Sequence, residues 1–224
     1  MKSKTCYLCD MDVTQYTTLC VIFPIAFGGN HFTNLISTSA HLENRTQTAD
    51  YHKFLLEQYQ QNRKSVHVGN INGWPVDDQS KAYIKQSTKT YLVCGHQPAY
   101  LATRGYLESL GKVGFILFHS NYICERIRQR ASGTRSNSIS ETRKKVDCID
   151  DFLKNYNKDI LSNYYYLHKQ DIHTIDPNLL FQANITPLIH YLNSTTNLNL
   201  DANYCQQLHN LWFDNILPRY KEPI

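Results

Sequence analysis

No uninterrupted apolar stretch in this chain approaches the roughly 18–20 residues that cross a bilayer, so no transmembrane helix and no membrane partner are expected. The opening residues, Met1-Lys2-Ser3-Lys4-Thr5-Cys6, carry charge without an apolar h-region, and no secretory signal is read there. A large excess of charge is missing too. Lys and Arg total 23 against 19 Asp and Glu, and a net +4 does not demand nucleic acid. Internal repeats and heptads are absent, which removes solenoids and coiled coils. The 7 cysteines are odd in number and scattered, so reduced thiols in a cytoplasmic setting are expected. On that reading the glycosylation sequons at Asn44, Asn184 and Asn193 are chance matches. Cys6-x-x-Cys9 has metal-ligand spacing, but no second Cys or His pair follows at zinc-finger distance. Half of a tetrahedral shell would stay unfilled, and no metal is expected.

What is present is a chain of 224 residues, enough for a single domain with a sizeable core. The most informative stretch runs from Leu19 to Ile36. Leu19–Phe23 reads as a strand buried on both faces, and the run breaks at Pro24. It passes through Gly28-Gly29-Asn30 and resumes at helical spacing with Phe32, Leu35 and Ile36. A strand, a glycine-bearing loop and a helix N-terminus in that order form an anion site, because unpaired N–H groups and the helix dipole point at the loop. The text is neither G-x-x-x-x-G-K-[ST] nor G-x-G-x-x-G, so it names an oxyanion rather than a nucleotide. The alternative is an ordinary turn that uses glycine for conformation alone.

Further strands are read at Tyr91–Cys94, Val113–Phe118 and Ile172–Ile175, the last turned out by Asp176-Pro177. Helices are read over about 30–38 (capped by Asn30 or Thr33), 49–61, 122–131, 141–156, 186–193 and 201–216 (capped by Asp201). Residues 1–18 read as an N-terminal extension, and 132–140, rich in Ser and Gly, as a mobile loop. The aromatic clusters at Tyr164–Tyr166 and Trp212-Phe213 are expected to pack helices. Strands alternating with helices imply an α/β fold, a three-layer α/β/α domain with a central parallel sheet and a helical C-terminal part.

Three strands run into comparable loops, namely Gly28-Gly29-Asn30-His31, Gly95-His96-Gln97-Pro98 and His119-Ser120-Asn121. Ligand crevices of open α/β sheets lie outside the carboxyl ends of the strands, so these loops should converge. Convergence brings together loop amides and up to three imidazoles. Three imidazoles also suit zinc, yet no carboxylate partner for them is evident. Just downstream lie Arg126, Arg128, Arg130, Arg135, Arg143, Lys144 and Lys145, opposed only by Glu125 and Glu141. Such a run is either a solvated helix face or a grip on phosphate. A nucleic-acid partner is the least favoured use of it, because few basic residues elsewhere extend the footprint.

The order of these parts resembles the P-loop sulfotransferases, over about Leu19–Ala131. That family opens with a strand leading into Pro-[Lys/Arg]-Ser-Gly-Thr-[Thr/Ser]-Trp-Leu, which wraps the phosphosulfate of the donor PAPS. Pro24-Ile25-Ala26-Phe27-Gly28-Gly29-Asn30-His31-Phe32 stands in its place. Gly95-His96-Gln97-Pro98 is similar to the Thr-His-Leu-Pro turn whose His is the general base, so the resemblance gives His96 that role. It also implies that Phe27, Gly28, Gly29, Asn30, His31 and Phe32 hold the donor, with His119, Asn121, Arg126 and Arg128 toward its nucleotide end. His31 is a second catalytic candidate, as a substitute cation. The implied reaction moves a sulfuryl group from PAPS to a hydroxyl or amine of a small-molecule or glycan acceptor, with Tyr100 available to line its pocket. The chain departs from the family where Ile25 or Ala26 replaces the loop cation. It departs again where His119 replaces the 3′-phosphate arginine, and it has no Arg-Lys-Gly-x-x-Gly-x-Trp element. A non-catalytic module binding another phosphorylated ligand on the same fold is the alternative.

Overall fold

Thr18–Ile22 forms the first strand, β1, and every one of its residues is buried. Side chains alternate between the two faces of a strand, so unbroken burial means that both faces are covered. The same holds for β3 (Thr90–Gly95) and β4 (Val113–Phe118). With the two-residue β2 (Leu42–Glu43) and β5 (Ile172–Ile175) they form one five-stranded sheet in the order β2-β3-β1-β4-β5. All its pairings are parallel. The computed structural model describes residues 11–23, 27–43, 50–61, 87–95, 111–118 and 172–216. An α/β fold with a parallel sheet is therefore as the sequence predicts. Among the described residues no helix is long and apolar enough to cross a membrane.

Helix α1 (Gly29–Ile36) follows β1 and lies against β1 and β3. Its Phe32 ring meets Phe118 of β4 edge-on at 5.4 Å. Helix α2 (Tyr51–Gln60) starts at Asp50, whose carboxylate accepts the Lys53 N–H, and it buries Leu55 and Tyr59. Two C-terminal helices, α3 (Thr186–Thr195) and α4 (Ala202–Leu211), pack on each other, and α4 also packs on α2. Asp201 caps α4 as predicted, accepting from the N–H groups of Asn203 and Tyr204. The helix read as continuous to Ile216 instead changes to a π turn at Trp212–Ile216. Asp176-Pro177 opens a 3₁₀ turn over Pro177–Phe181, with the Asp176 carboxylate accepting the Asn178 N–H.

Part of the segment read as an extension belongs to the core. Met11 and Val13 are buried, and Met11 pairs with Thr196 beyond α3. Val13 N–H donates to the Asn197 side chain at 2.8 Å. The region 132–140 and the helices read over 122–131 and 141–156 lie outside the described residues.

Candidate functional site

The sheet order makes β1 the central strand, with β3 and β4 on either side of it. The chain leaves β1 toward β2 at one edge and later crosses back to β4 and β5. That reversal is where an open parallel sheet keeps a crevice between the loops at its carboxyl edge. In register, Ile22 of β1 stands beside Gly95 of β3 and Leu117 of β4. The Phe23 N–H donates to the Gly95 carbonyl at 3.3 Å, prolonging the β1–β3 pairing by one residue. The ends of the three strands therefore lie side by side, while residues 96–98 and 119–121, the loops expected to converge there, lie outside the described residues.

The turn from β1 into α1 is built by its two glycines in different ways. Gly28 is the N-cap residue and holds φ 78° and ψ 10°, a left-handed conformation that glycine adopts without steric cost. Gly29 is needed for closeness: a Cβ there would lie 1.9 Å from Cγ of Phe23. The close approach is therefore to the Phe23 ring rather than to a ligand. Leu180 and Phe181 stand 3.6 Å from where a Gly28 Cβ would be. Apolar side chains wall the inner side of the turn.

The cap predicted for α1 is corrected. Asn30 and Thr33 do not cap it; Gly28 occupies the cap position and brings no side-chain acceptor. Thr33 Oγ1 instead donates back to the Gly29 carbonyl at 2.8 Å, and Asn30 Oδ1 accepts from the Cys94 thiol at 3.7 Å. The first-turn N–H groups of α1 therefore receive no cap from the residue at the cap position, the arrangement in which a helix N-terminus can hold an anion.

His31 sits one residue beyond the turn and points into the interior, where it is buried. Its Nδ1 lies 2.8 Å from the Tyr59 hydroxyl on α2, and its Nε2 lies 3.0 Å from Nδ1 of His209 on α4. The Trp212 indole stacks on its ring, 4.2 Å away and 3° from parallel. His209 is buried, and its Nε2 lies 2.7 Å from the Gln182 carbonyl. Burial pushes the His209 imidazole down to about 4, against the Gln182 hydrogen bond and the Asp214 charge, which act upward. The ring is neutral at pH 7.

With both imidazoles neutral, the Gln182 carbonyl sets the direction of the chain of hydrogen bonds. A carbonyl oxygen only accepts, so His209 carries its hydrogen on Nε2. The Nδ1 lone pair of neutral His209 then accepts from His31 Nε2–H. A neutral His31 has its remaining lone pair on Nδ1, which takes the Tyr59 hydroxyl hydrogen. The Tyr59 oxygen in turn accepts from the Asn34 amide at 3.0 Å. Four groups from three helices are thereby oriented one way, ending on a main-chain carbonyl. Both ring nitrogens of His31, expected to serve a ligand, are engaged by protein groups.

The other residues expected at the site divide into two groups. The Phe27 and Phe32 side chains belong to the hydrophobic core, which leaves their main chain for any ligand. Asn30 is half-buried beside Cys94. His96, His119, Asn121, Arg126 and Arg128 lie outside the described residues, as do Tyr100 and Cys6–Cys9. Among the described lysines, Lys89 and Lys112 precede β3 and β4, at the edge of the sheet opposite the crevice. Cys20, Cys94 and Cys205 are free thiols. Burial pushes Cys94 up to about 12 and Cys205 to about 11, and raises Cys20 well above the usual thiol range. None of these three is a thiolate nucleophile at neutral pH. Among the described residues no group of three or more His, Cys, Asp or Glu is placed to hold a metal ion.

No family model, no curated protein and no solved structure matches this chain.

Proposed function

We propose that the chain binds a phosphorylated or sulfated small molecule at the carboxyl edge of its parallel sheet, with the anion on the first turn of α1. The observation that carries this reading is one juxtaposition. A helix start that Gly28 cannot cap with a side chain stands at the end of the central strand, between the ends of β3 and β4. The dipole at a helix start whose cap residue brings no side chain favours an oxyanion. Burial of both faces of β1, β3 and β4 supports the three-layer arrangement of the P-loop sulfotransferase type.

The finer reading is sulfuryl transfer. On this reading the phosphosulfate of PAPS lies on the first turn of α1, and PAPS when bound supplies the sulfuryl group. His96 directly follows Gly95, the residue beside the end of β1. As base it removes the proton from an acceptor hydroxyl or amine while that atom attacks sulfur in line. The sulfuryl group would pass to that oxygen or nitrogen as its bond to the bridging phosphate oxygen broke, with PAP as the leaving group. Such a base contributes on the order of 10²–10⁴ in rate.

One observation favours the second reading, a module that binds without transferring. His31, the nearest substitute for the missing loop cation, is turned inward with both nitrogens bonded. Isothermal titration separates the readings. Saturable heat with PAP, joined by turnover of PAPS that His96→Ala abolishes, supports the transferase. Heat with a different nucleotide and none with PAP supports the binding module. No heat with any phosphorylated or sulfated ligand, from a folded protein, overturns both.

A further inference from the structure

The hydrogen-bonded chain from Asn34 to Gln182 accepts an additional proton on His209 only by reversing its direction at His31. Its Nε2–H is committed to the Gln182 carbonyl, and its Nδ1 lone pair receives His31 Nε2–H. A proton added at Nδ1 would face that N–H across 3.0 Å, donor against donor, until His31 shifted its own hydrogen to Nδ1 and the Tyr59 hydroxyl turned its hydrogen elsewhere. It would also place a full charge among Trp212, Phe213 and the His31 ring. We propose that the His31–His209 pair is an acid-sensitive latch that fastens α1 to α4 while neutral and releases when His209 takes up a proton. The latch stands whether or not the crevice binds an anion.

The groups around the pair do not reverse this. On α1 the titratable neighbour is His31 itself. On α2 it is Tyr59, with His52, Lys53 and Glu57 exposed and the His52 ring stacked on Tyr204 of α4. On α3 His190 is exposed, and on α4 Cys205 is held protonated by burial. Among the described residues Asp214 of the π turn is the acid whose charge favours the imidazolium, and burial outweighs it. The connections reach the crevice as well. Gln182 follows Phe181, which packs on Gly28, and His31 lies in the first turn of α1. Releasing His209 frees the inner wall of the glycine turn together with α4.

The sign of the effect is set by the downward displacement of the folded-state group. Unfolded His titrates near 6.5 and folded His209 near 4. Stability is therefore unaffected above about pH 6.5, falls between that value and about 4, and is level below it. Over that window the folding constant drops by a factor on the order of 10²–10³ from this residue.

Trp212 supplies the readout, because its indole stacks on His31. In a Trp74→Phe background, emission followed from pH 7.5 to 3 is expected to show a reversible one-proton transition centred below pH 5, absent in His209→Gln. Long-range ¹⁵N–¹H spectra of the wild-type chain decide the matter if that variant does not fold. Nε2–H tautomers for His31 and His209 at pH 7.5, with His209 titrating below pH 5, support the latch. An Nδ1–H tautomer at His209, titration of His209 near 6.5, or a transition that persists in folded His209→Gln overturns it.

Discussion

Replacing Gly29 with Ala places a methyl group 1.9 Å from Cγ and 2.1–2.2 Å from both Cδ atoms of Phe23. Ordinary contact begins at 3.4 Å, so roughly 1.5 Å of movement is required of the ring or the helix start. The ring has little freedom to move. It is buried, and its centroid lies 5.8 Å from that of Phe118. Overpacking of this kind costs about 1–3 kcal/mol, and a clash with a pinned ring belongs at the upper end. Better helix propensity offsets at most about 1 kcal/mol of it. Gly29→Ala should therefore lower stability by about 2 kcal/mol, read as the midpoint of urea unfolding followed by circular dichroism at pH 7.5. Phe23→Ala alone should cost about 3–5 kcal/mol. Once the ring is gone the alanine methyl occupies vacated space, so the double variant should be no less stable than Phe23→Ala. The coupling then equals nearly the whole Gly29→Ala penalty. Phe23→Leu gives a milder version of the same cycle. Strict additivity, or a Gly29→Ala protein within about 0.5 kcal/mol of wild type, would refute the packing account of this turn.

Gly28→Ala should cost about 1–2 kcal/mol through the left-handed backbone alone, because space for the methyl exists at 3.6 Å, and Gly28→Asn should cost less. Thermal melts of the two variants check that order, and equal loss in both would contradict it. Asp201→Ala removes the carboxylate that caps α4 and should cost about 1 kcal/mol, measured by chemical unfolding; Asp201→Asn should recover most of it.

The strands were legible in the sequence wherever burial on both faces wrote an unbroken apolar run. Leu19–Phe23 and Val113–Phe118 are of that kind, and both lie within a residue of the strands observed. β2 was not legible, because two residues, one of them Glu43, carry no periodicity. The helix after the glycine turn was visible, but its cap was misassigned. Asn30 and Thr33 have capping side chains, yet one accepts from Cys94 and the other bonds back to the Gly29 carbonyl. The need for glycine at 29 was visible and its cause was not, since Phe23 looks from the sequence like a strand residue facing the core. The His31–His209 pair spans 178 positions, a separation that no local pattern connects. Its signal was His209 standing on the stripe of Cys205, Leu208 and Trp212, a polar residue where α4 is otherwise apolar. Trp212, expected to pack helices, does so by stacking on His31.

Backbone amide shifts show whether the first turn of α1 receives an oxyanion. Titrating labelled protein with PAP or another phosphorylated nucleotide should produce saturable shifts at Gly29 and Asn30, with smaller changes at Gly95. Unmoved amides at Gly29 and Asn30 at saturating ligand would contradict anion binding at this turn.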